Sequence, residues 1–268
     1  MQYMCGMTTD IIILLVVSGI LVGFVNTLAG GGAIMSMTVF MALGLPINIA
    51  NGTNRIAVVL QNLTSSAVFI RKRMLDIRSG LKLSIPTIIG NIAGSLVATH
   101  INVTVFKWCM SIVLFAILGY MIFARTHYHG GHKLEIKPWY YLWFLLIGFY
   151  GGYVYIGLGY LILAITLTSM RLDIITANVI KGFVIFIATP FSLIIFMIND
   201  QVAYGYGLLH ALGNVIGTVL ATHYGFRWGA SFLRYFMIAV VIVSIADLFG
   251  WISLHDMVNT LLDGASAE

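Results

Sequence analysis

Two positively charged residues stand inside otherwise apolar stretches of this 268-residue chain, Arg55 and Lys181. Each lies about eight residues into a run long enough to be a helix, which at ~1.5 Å per residue puts it roughly 12 Å from the start of the run. A charge at that depth in a bilayer costs at least ~2.5 kcal/mol on insertion scales and marks a candidate functional site. The plain alternatives are snorkelling, which is awkward at this depth, and an internal ion pair. The nine acidic residues sit at segment ends, loops or tails, with Asp173 and Asp247 nearest and both close to an end. Two buried cations without sequence-adjacent acids point to anion chemistry: a bound oxyanion offers acceptors to the guanidinium fork and to the ammonium point charge.

Polar side chains accompany both cations. Asn51, Arg55, Asn62 and Ser66 fall on one helical stripe, which should face protein or a wet cavity rather than lipid. Asn54 and Asn178 stand beside the cations as further hydrogen-bond donors. Thr87, Asn91, Ser95 and Thr99 form a second stripe, and His210, Asn214, Thr218 and Thr222 a third. Gly90 and Gly94, like Gly213 and Gly217, lie next to these stripes in Gly-x-x-x-Gly spacing, so helix packing and cavity lining both stay open for them. Two glycine clusters, Gly30-Gly31-Gly32 and Gly151-Gly152 with Gly157 and Gly159, either pack helices closely or let backbone amides approach an anion at a helix break.

The elements that carry these residues are membrane helices. The composition is 60% hydrophobic and only 9% charged, against about 25% charged in soluble domains. The apolar runs approach or exceed the roughly 20 residues that cross a bilayer as helix, and they lack the alternation of a β-barrel. No soluble domain fits, because the longest polar stretch is Arg125 to Pro138. No basic residue precedes Asp10, so a cleaved signal peptide is not expected. Cys5 and Cys109 suggest no disulfide framework. The net charge of +5 fits cytoplasmic loops better than nucleic-acid binding.

The chain repeats itself. Gly90 to His100 and Gly213 to His223 agree at six of eleven positions, at an offset of 123 residues. Ala50-Asn51 echoes Ala177-Asn178, and Gly23-Phe24 echoes Gly148-Phe149, in the same order. We therefore read an all-α polytopic membrane protein of two repeats, 10–125 and 139–252, joined by a cytoplasmic connection at 126–138 and followed by a tail at 253–268. Each repeat has five apolar elements, at roughly 10–28, 32–45, 47–70, 80–100 and 104–125, then 139–155, 157–169, 173–197, 203–223 and 230–252. The second element of each is short and follows a glycine cluster, so the first two form either a broken or re-entrant hairpin or two complete crossings. Placing loop 71–78 in the cytoplasm puts eleven of the fourteen basic residues on one side, with Lys107 on the other and Arg55 and Lys181 within the membrane. That asymmetry holds only if the repeats are inverted, an arrangement used by transporters that bind substrate between their halves.

The motifs Gly23-Phe24-Val25-Asn26-Thr27-Leu28-Ala29-Gly30-Gly31-Gly32, Ala50-Asn51-Gly52-Thr53-Asn54-Arg55, Gly148-Phe149-Tyr150-Gly151-Gly152 and Ala177-Asn178-Val179-Ile180-Lys181 resemble those of the sulfite exporter TauE/SafE family. Met37 stands about where that family often has a proline. The resemblance implies transport of sulfite, sulfonates or related sulfur anions across the bacterial cytoplasmic membrane. The candidate substrate-binding set is Arg55, Lys181, Asn51, Asn54, Asn178, Asn26, Gly31, Gly32, Gly151 and Gly152. Partners are a small anion and the lipid bilayer, with a homodimer left open; no nucleic acid, cofactor or metal is expected. His127, His129 and His132 read as a solvated loop rather than a metal site. Export is the leading reading, uptake or a channel-like path the alternative. An intramembrane enzyme ranks low, since there is no His-Glu-x-x-His and no pair of intramembrane aspartates. A membrane assembly or sensor protein would not require cations aligned across two repeats.

The charge pattern predicts that 71–78, 126–138, 170–172 and 224–229 face the cytoplasm and that both termini face out. Single cysteines placed at Leu75 and Asp200 should be protected from and open to an impermeant periplasmic thiol reagent, respectively. The opposite pattern would overturn the inversion.

Overall fold

In the computed structural model, residues 8–100 and 136–225 are described continuously, together with isolated positions in 104–119 and 232–246. The described residues form eight helices and no strand: α1 Thr9–Leu28, α2 Ala33–Ala42, α3 Ile47–Arg71, α4 Ile77–Ala98, α5 Pro138–Tyr153, α6 Leu158–Thr168, α7 Ile174–Ile198 and α8 Tyr204–His223. These match the first four apolar elements of each half. The isolated positions in the fifth elements are helical. Most of the 126–138 connection, the three histidines in it, the 253–268 tail, Cys5 and Cys109 lie outside the described residues.

Local chemistry sets several of the helix starts. The Asp76 carboxylate caps α4, accepting from the amides of Arg78 at 3.1 Å and Ser79 at 3.4 Å and from the Ser79 hydroxyl at 2.6 Å. The Ser79 hydroxyl, with the two amides behind it, holds the carboxyl below its ordinary range. Its contribution to stability is therefore present at neutral pH and fades as pH falls through the carboxylate range. Asp173 caps α7 in the same way, accepting from Ile175 and Thr176 at 3.0 Å each. Pro138 opens α5, where a missing amide hydrogen costs nothing.

The packing exchanges elements between the halves. α1 lies along α8 and α5 lies along α4, so the first helix of each half pairs with the fourth of the other. α3 packs on α8, α7 packs on α4, and α3 and α7 meet between them. Glycines let the paired helices touch backbone to backbone. A Cβ on Gly217 of α8 would meet the Ile20 carbonyl and lie 2.8 Å from the Phe24 amide of α1. On Gly94 of α4 it would meet the Phe149 carbonyl and lie 2.9 Å from the Tyr153 amide of α5. The Gly-x-x-x-Gly pairs thus serve close helix packing.

Polarity is distributed inside out relative to a water-soluble protein. The outer faces carry Ile13, Val17 and Leu21 on α1, Leu81, Ile85 and Ile89 on α4, and Leu208, Leu212 and Ile216 on α8, all exposed. Asn51, Arg55, Asn62 and Ser66 are buried, as are Thr87, Asn91 and Ser95 and His210, Asn214, Thr218 and Thr222. Thr99 is half-buried. The stripes face protein, as lipid requires. Among the described residues, three helices, α1, α4 and α7, are long and apolar enough to cross a membrane.

Gly217→Val should destabilise the α1–α8 pair by about 1–3 kcal/mol through overpacking. Ile216→Val, on the outer face, should change stability by less than about 0.5 kcal/mol. Thermal unfolding in detergent reads both.

Candidate functional site at the two helix breaks

The chain interrupts itself at the same place in each half. α1 ends with the Ala29 amide donating to the Val25 carbonyl, and Gly30 then takes φ +87°. α5 ends with the Val154 amide donating to Tyr150, and Tyr155 takes φ +66°. At the repeat offset of 125 residues Ala29 corresponds to Val154 and Gly30 to Tyr155. A left-handed tyrosine is a steric exception, tolerated where surrounding contacts hold it. The next helix starts at once in each case, with Gly32 at the N-cap of α2 and Gly157 at that of α6. Neither glycine offers a side chain to the first amides of its helix.

Each break leaves carbonyls at the end of the incoming helix with no further turn to bond them. The buried cations supply the missing donors. Arg55 on α3 donates Nη1 to the Gly151 carbonyl at 2.8 Å and Nη2 to the Gly152 carbonyl at 2.9 Å. Nη2 also reaches Asn51 Oδ1 at 3.2 Å. Lys181 on α7 donates Nζ to the Thr27 carbonyl at 3.0 Å, the Asn26 carbonyl at 3.3 Å and Asn178 Oδ1 at 2.7 Å. At that same offset Asn26 and Thr27 correspond to Gly151 and Gly152. The two cations therefore cap equivalent carbonyl pairs, each in the opposite half. Every one of these acceptors is an uncharged oxygen; the bonds replace the ion pair that the sequence lacks.

Aromatic faces complete the arginine's shell: the guanidinium carbon lies 4.7 Å from the Tyr155 ring centroid and 5.3 Å from that of Phe196. Its Nε–H has no hydrogen-bond partner, nor does the Asn54 amide nitrogen one residue before. Asn51 turns its own amide to the Tyr153 carbonyl at 3.1 Å, a third bond to the end of α5. Asn178, its counterpart, gives its amide to Ile174 within its own helix.

The breaks also touch one another. A Cβ on Gly30 would lie 2.9 Å from the Gly159 Cα, and one on Gly159 would lie 2.7 Å from the Gly30 Cα. Gly31 packs directly on the Tyr160 hydroxyl, and a Cβ on Gly32 would come within 2.8 Å of the Val22 carbonyl. Gly151 faces Leu158, and Gly152 faces the Asn91 carbonyl and the Ser95 amide of α4. Met37, in place of a proline, is buried in the middle of an unbroken α2.

Nine of the ten candidate residues thus gather on or around the paired breaks; Asn54 is buried next to Arg55 on α3. Sequence reasoning missed Gln61, Thr27 and Tyr155. Asn26 donates to Gln61 Oε1 at 3.0 Å, Gln61 donates to Thr27 Oγ1 at 3.4 Å, and Thr27 donates to Thr218 Oγ1 at 3.1 Å, a buried chain linking α1, α3 and α8. A glutamine in the same apolar run as Arg55 was a signal open to reading. His210 belongs to packing, with Nε2 2.9 Å from Ser36 Oγ and Nδ1 3.1 Å from the Leu15 carbonyl.

An all-helical fold with lipid-compatible outer faces and a polar interior built on interrupted helices defines a membrane protein of the transporter class. The chain belongs to the sulfite exporter TauE/SafE family, whose model matches residues 15–248. It is 24% identical to a probable membrane transporter protein of Haemophilus influenzae, an alignment covering 90% of this chain and 97% of that one. It is likewise 24% identical to the probable membrane transporter protein ORF9 of a Sinorhizobium species, over 87% of this chain and 88% of the relative. The probable membrane transporter protein YfcA of Escherichia coli K12 is also 24% identical, over 85% and 86%. No solved structure matches. The family and these names point to membrane transport and not to catalysis.

Removing either cap should uncover helix-end carbonyls among buried residues. Arg55→Gln and Lys181→Gln should each lose about 1.5–3 kcal/mol, the scale of a charged hydrogen bond. Arg55→Lys should recover little, because one ammonium does not reproduce a planar fork across two carbonyls. Unfolding midpoints of the purified variants test this; midpoints equal to wild type would show that the caps carry no stability.

Proposed function

We propose that the protein is a secondary transporter that exports a small sulfur-containing anion, sulfite, a sulfonate or a related oxyanion, across the bacterial cytoplasmic membrane as a multi-pass, inverted-repeat protein. The observation that carries this reading is the pair of touching helix breaks, each crossed by a cation from the other half. The family's name supplies the sulfur chemistry. The inversion draws support from the one-sided distribution of basic residues and from the exchange of first and fourth helices between the halves.

The electrostatics favour an anion. A helix C-terminus is worth about half a negative charge and a helix N-terminus about half a positive one. At each break the buried cation outweighs the C-terminus of the incoming helix, and the following helix begins with amides that no side chain caps. The balance is roughly one positive charge per break, or about two for the pair. A small oxyanion docks there on the first amides of α2 and α6, with Arg55 and Lys181 supplying potential and the free Asn54 amide and Arg55 Nε–H supplying donors. Asn51, Asn178, Asn26, Gly31, Gly32, Gly151 and Gly152 shape that site. The inside-negative potential favours anion exit by ~2.3 kcal/mol per charge per 100 mV.

Efflux from proteoliposomes loaded with sulfite, sulfate, thiosulfate, sulfoacetate or taurine tests the proposal. Saturable flux of at least one sulfur oxyanion is expected. Asn54→Ala, which removes one neutral donor, should raise the half-saturating concentration roughly 2- to 10-fold, the equivalent of about 0.5–1.5 kcal/mol. Folded protein that moves none of the four anions, sulfite, sulfate, thiosulfate and sulfoacetate, nor zwitterionic taurine, would overturn the assignment.

A further inference from the structure

Interrupted membrane helices commonly use the carbonyls at their C-terminal ends to hold a coupling cation, while the N-terminal ends meet an anionic group of the substrate. Here the carbonyl ends of both interrupted helices are occupied by the protein's own side chains. Lys181 Nζ lies among three oxygens, Asn178 Oδ1, the Thr27 carbonyl and the Asn26 carbonyl, at 2.7, 3.0 and 3.3 Å. An ammonium has three donors and no acceptor, so this set satisfies it completely. A neutral amine would turn a lone pair toward an oxygen. The site is built for a cation.

The repeat shows that the charge, and not an inherited side chain, is what the position demands. At the offset of Asn51 and Asn178, Lys181 corresponds to Asn54 and Arg55 corresponds to Gly182. The cations come from non-equivalent positions and of different types, yet they end on equivalent carbonyl pairs. Each half thus places one positive charge at its partner's break from a different position of its third helix. Gly182 has no side chain to compete for the space, and a Cβ there would meet only Ser65 Oγ at 3.2 Å and Asn62 Oδ1 at 3.6 Å.

We propose that Arg55 and Lys181 are tethered replacements for coupling cations, so that anion movement needs no sodium, and that removing the Lys181 ammonium uncovers a binding site for a small monovalent cation formed by the Asn26 and Thr27 carbonyls and Asn178 Oδ1. The first half of this statement rests on the transport reading above; the second does not. A fixed cation cannot leave with the substrate. It pins the helix end in every step of the cycle, and the anion then follows its own electrochemical gradient.

Two measurements test it. Wild-type protein in proteoliposomes should carry its anion at the same rate in sodium, potassium or choline, with or without a sodium gradient. Flux that rises several-fold with a sodium gradient would overturn the proposal, whereas absence of any anion flux would strike the transport reading alone. Purified Lys181→Ala should show a higher unfolding temperature in sodium, lithium or methylammonium chloride than in choline chloride at equal ionic strength. Wild type and Lys181→Met, which fills the space without a charge, should show no such difference. A folded Lys181→Ala protein indifferent to all three small cations would overturn the latent site. Should Lys181→Ala fail to fold in choline, recovery of folded protein when it is extracted in methylammonium is the expected result, and failure to recover it in any of the three counts against the proposal.

Discussion

A helix that stops among buried residues exposes carbonyls that the rest of the protein must bond, and that constraint governs this structure. Each unsatisfied polar group in hydrocarbon costs several kcal/mol. The chain ends two helices among buried residues, at Leu28 and Tyr153, leaving the carbonyls of Asn26, Thr27, Gly151 and Gly152 there. It meets the demand with the strongest donors available, a guanidinium and an ammonium. The same bonds solve a second problem. A buried cation without a carboxylate needs oxygen ligands, and the helix ends provide them. Each feature is costly alone, and each removes the other's cost.

The architecture follows from where those bonds run. Arg55 reaches from the first half to the second, and Lys181 from the second to the first. The caps can form only if the halves are packed through one another, and the exchange of α1 with α8 and α5 with α4 achieves this. Glycine makes the exchange close enough. With Gly23 of α1 against Asn214 of α8, and Gly148 of α5 against Thr87 of α4, the interrupted helices are clamped along their length as well as at their ends. The left-handed turn at Tyr155 brings its ring beneath the Arg55 guanidinium, so a strained backbone position contributes to holding the cation.

This arrangement also sets the electrostatics near the breaks. Capping a helix C-terminus with a full charge reverses the sign of that end, while the amide ends of α2 and α6 keep theirs. The interior of an apolar protein thus holds two buried cations beside the uncapped starts of α2 and α6. Gln61, Thr27 and Thr218 bond to one another, while buried hydroxyls such as Ser84, Thr87 and Thr189 bond back to carbonyls of their own helices, so these groups are satisfied without charge.

Much of the scaffold was legible in the order of residues alone. Continuous apolarity and periodicity located the helices to within a few residues, from 10–28 against an observed Thr9–Leu28 to 203–223 against Tyr204–His223. The internal repeat matched Asn51 with Asn178, and stripe spacing forecast that Arg55, Asn62 and Ser66 would be buried. These features are local, fixed by side-chain type and by the 3.6-residue period. The sequence also marked Arg55 and Lys181 as residues needing a partner, and the absence of nearby acids said what the partner would not be. Only the tertiary structure decided what it is. The acceptors are backbone carbonyls at Gly151, Gly152, Asn26 and Thr27, about a hundred or more residues away along the chain. Every residue carries a carbonyl, so no residue type announces one that is free. It becomes free only where a helix ends, and it becomes a ligand only where folding brings a cation to that end.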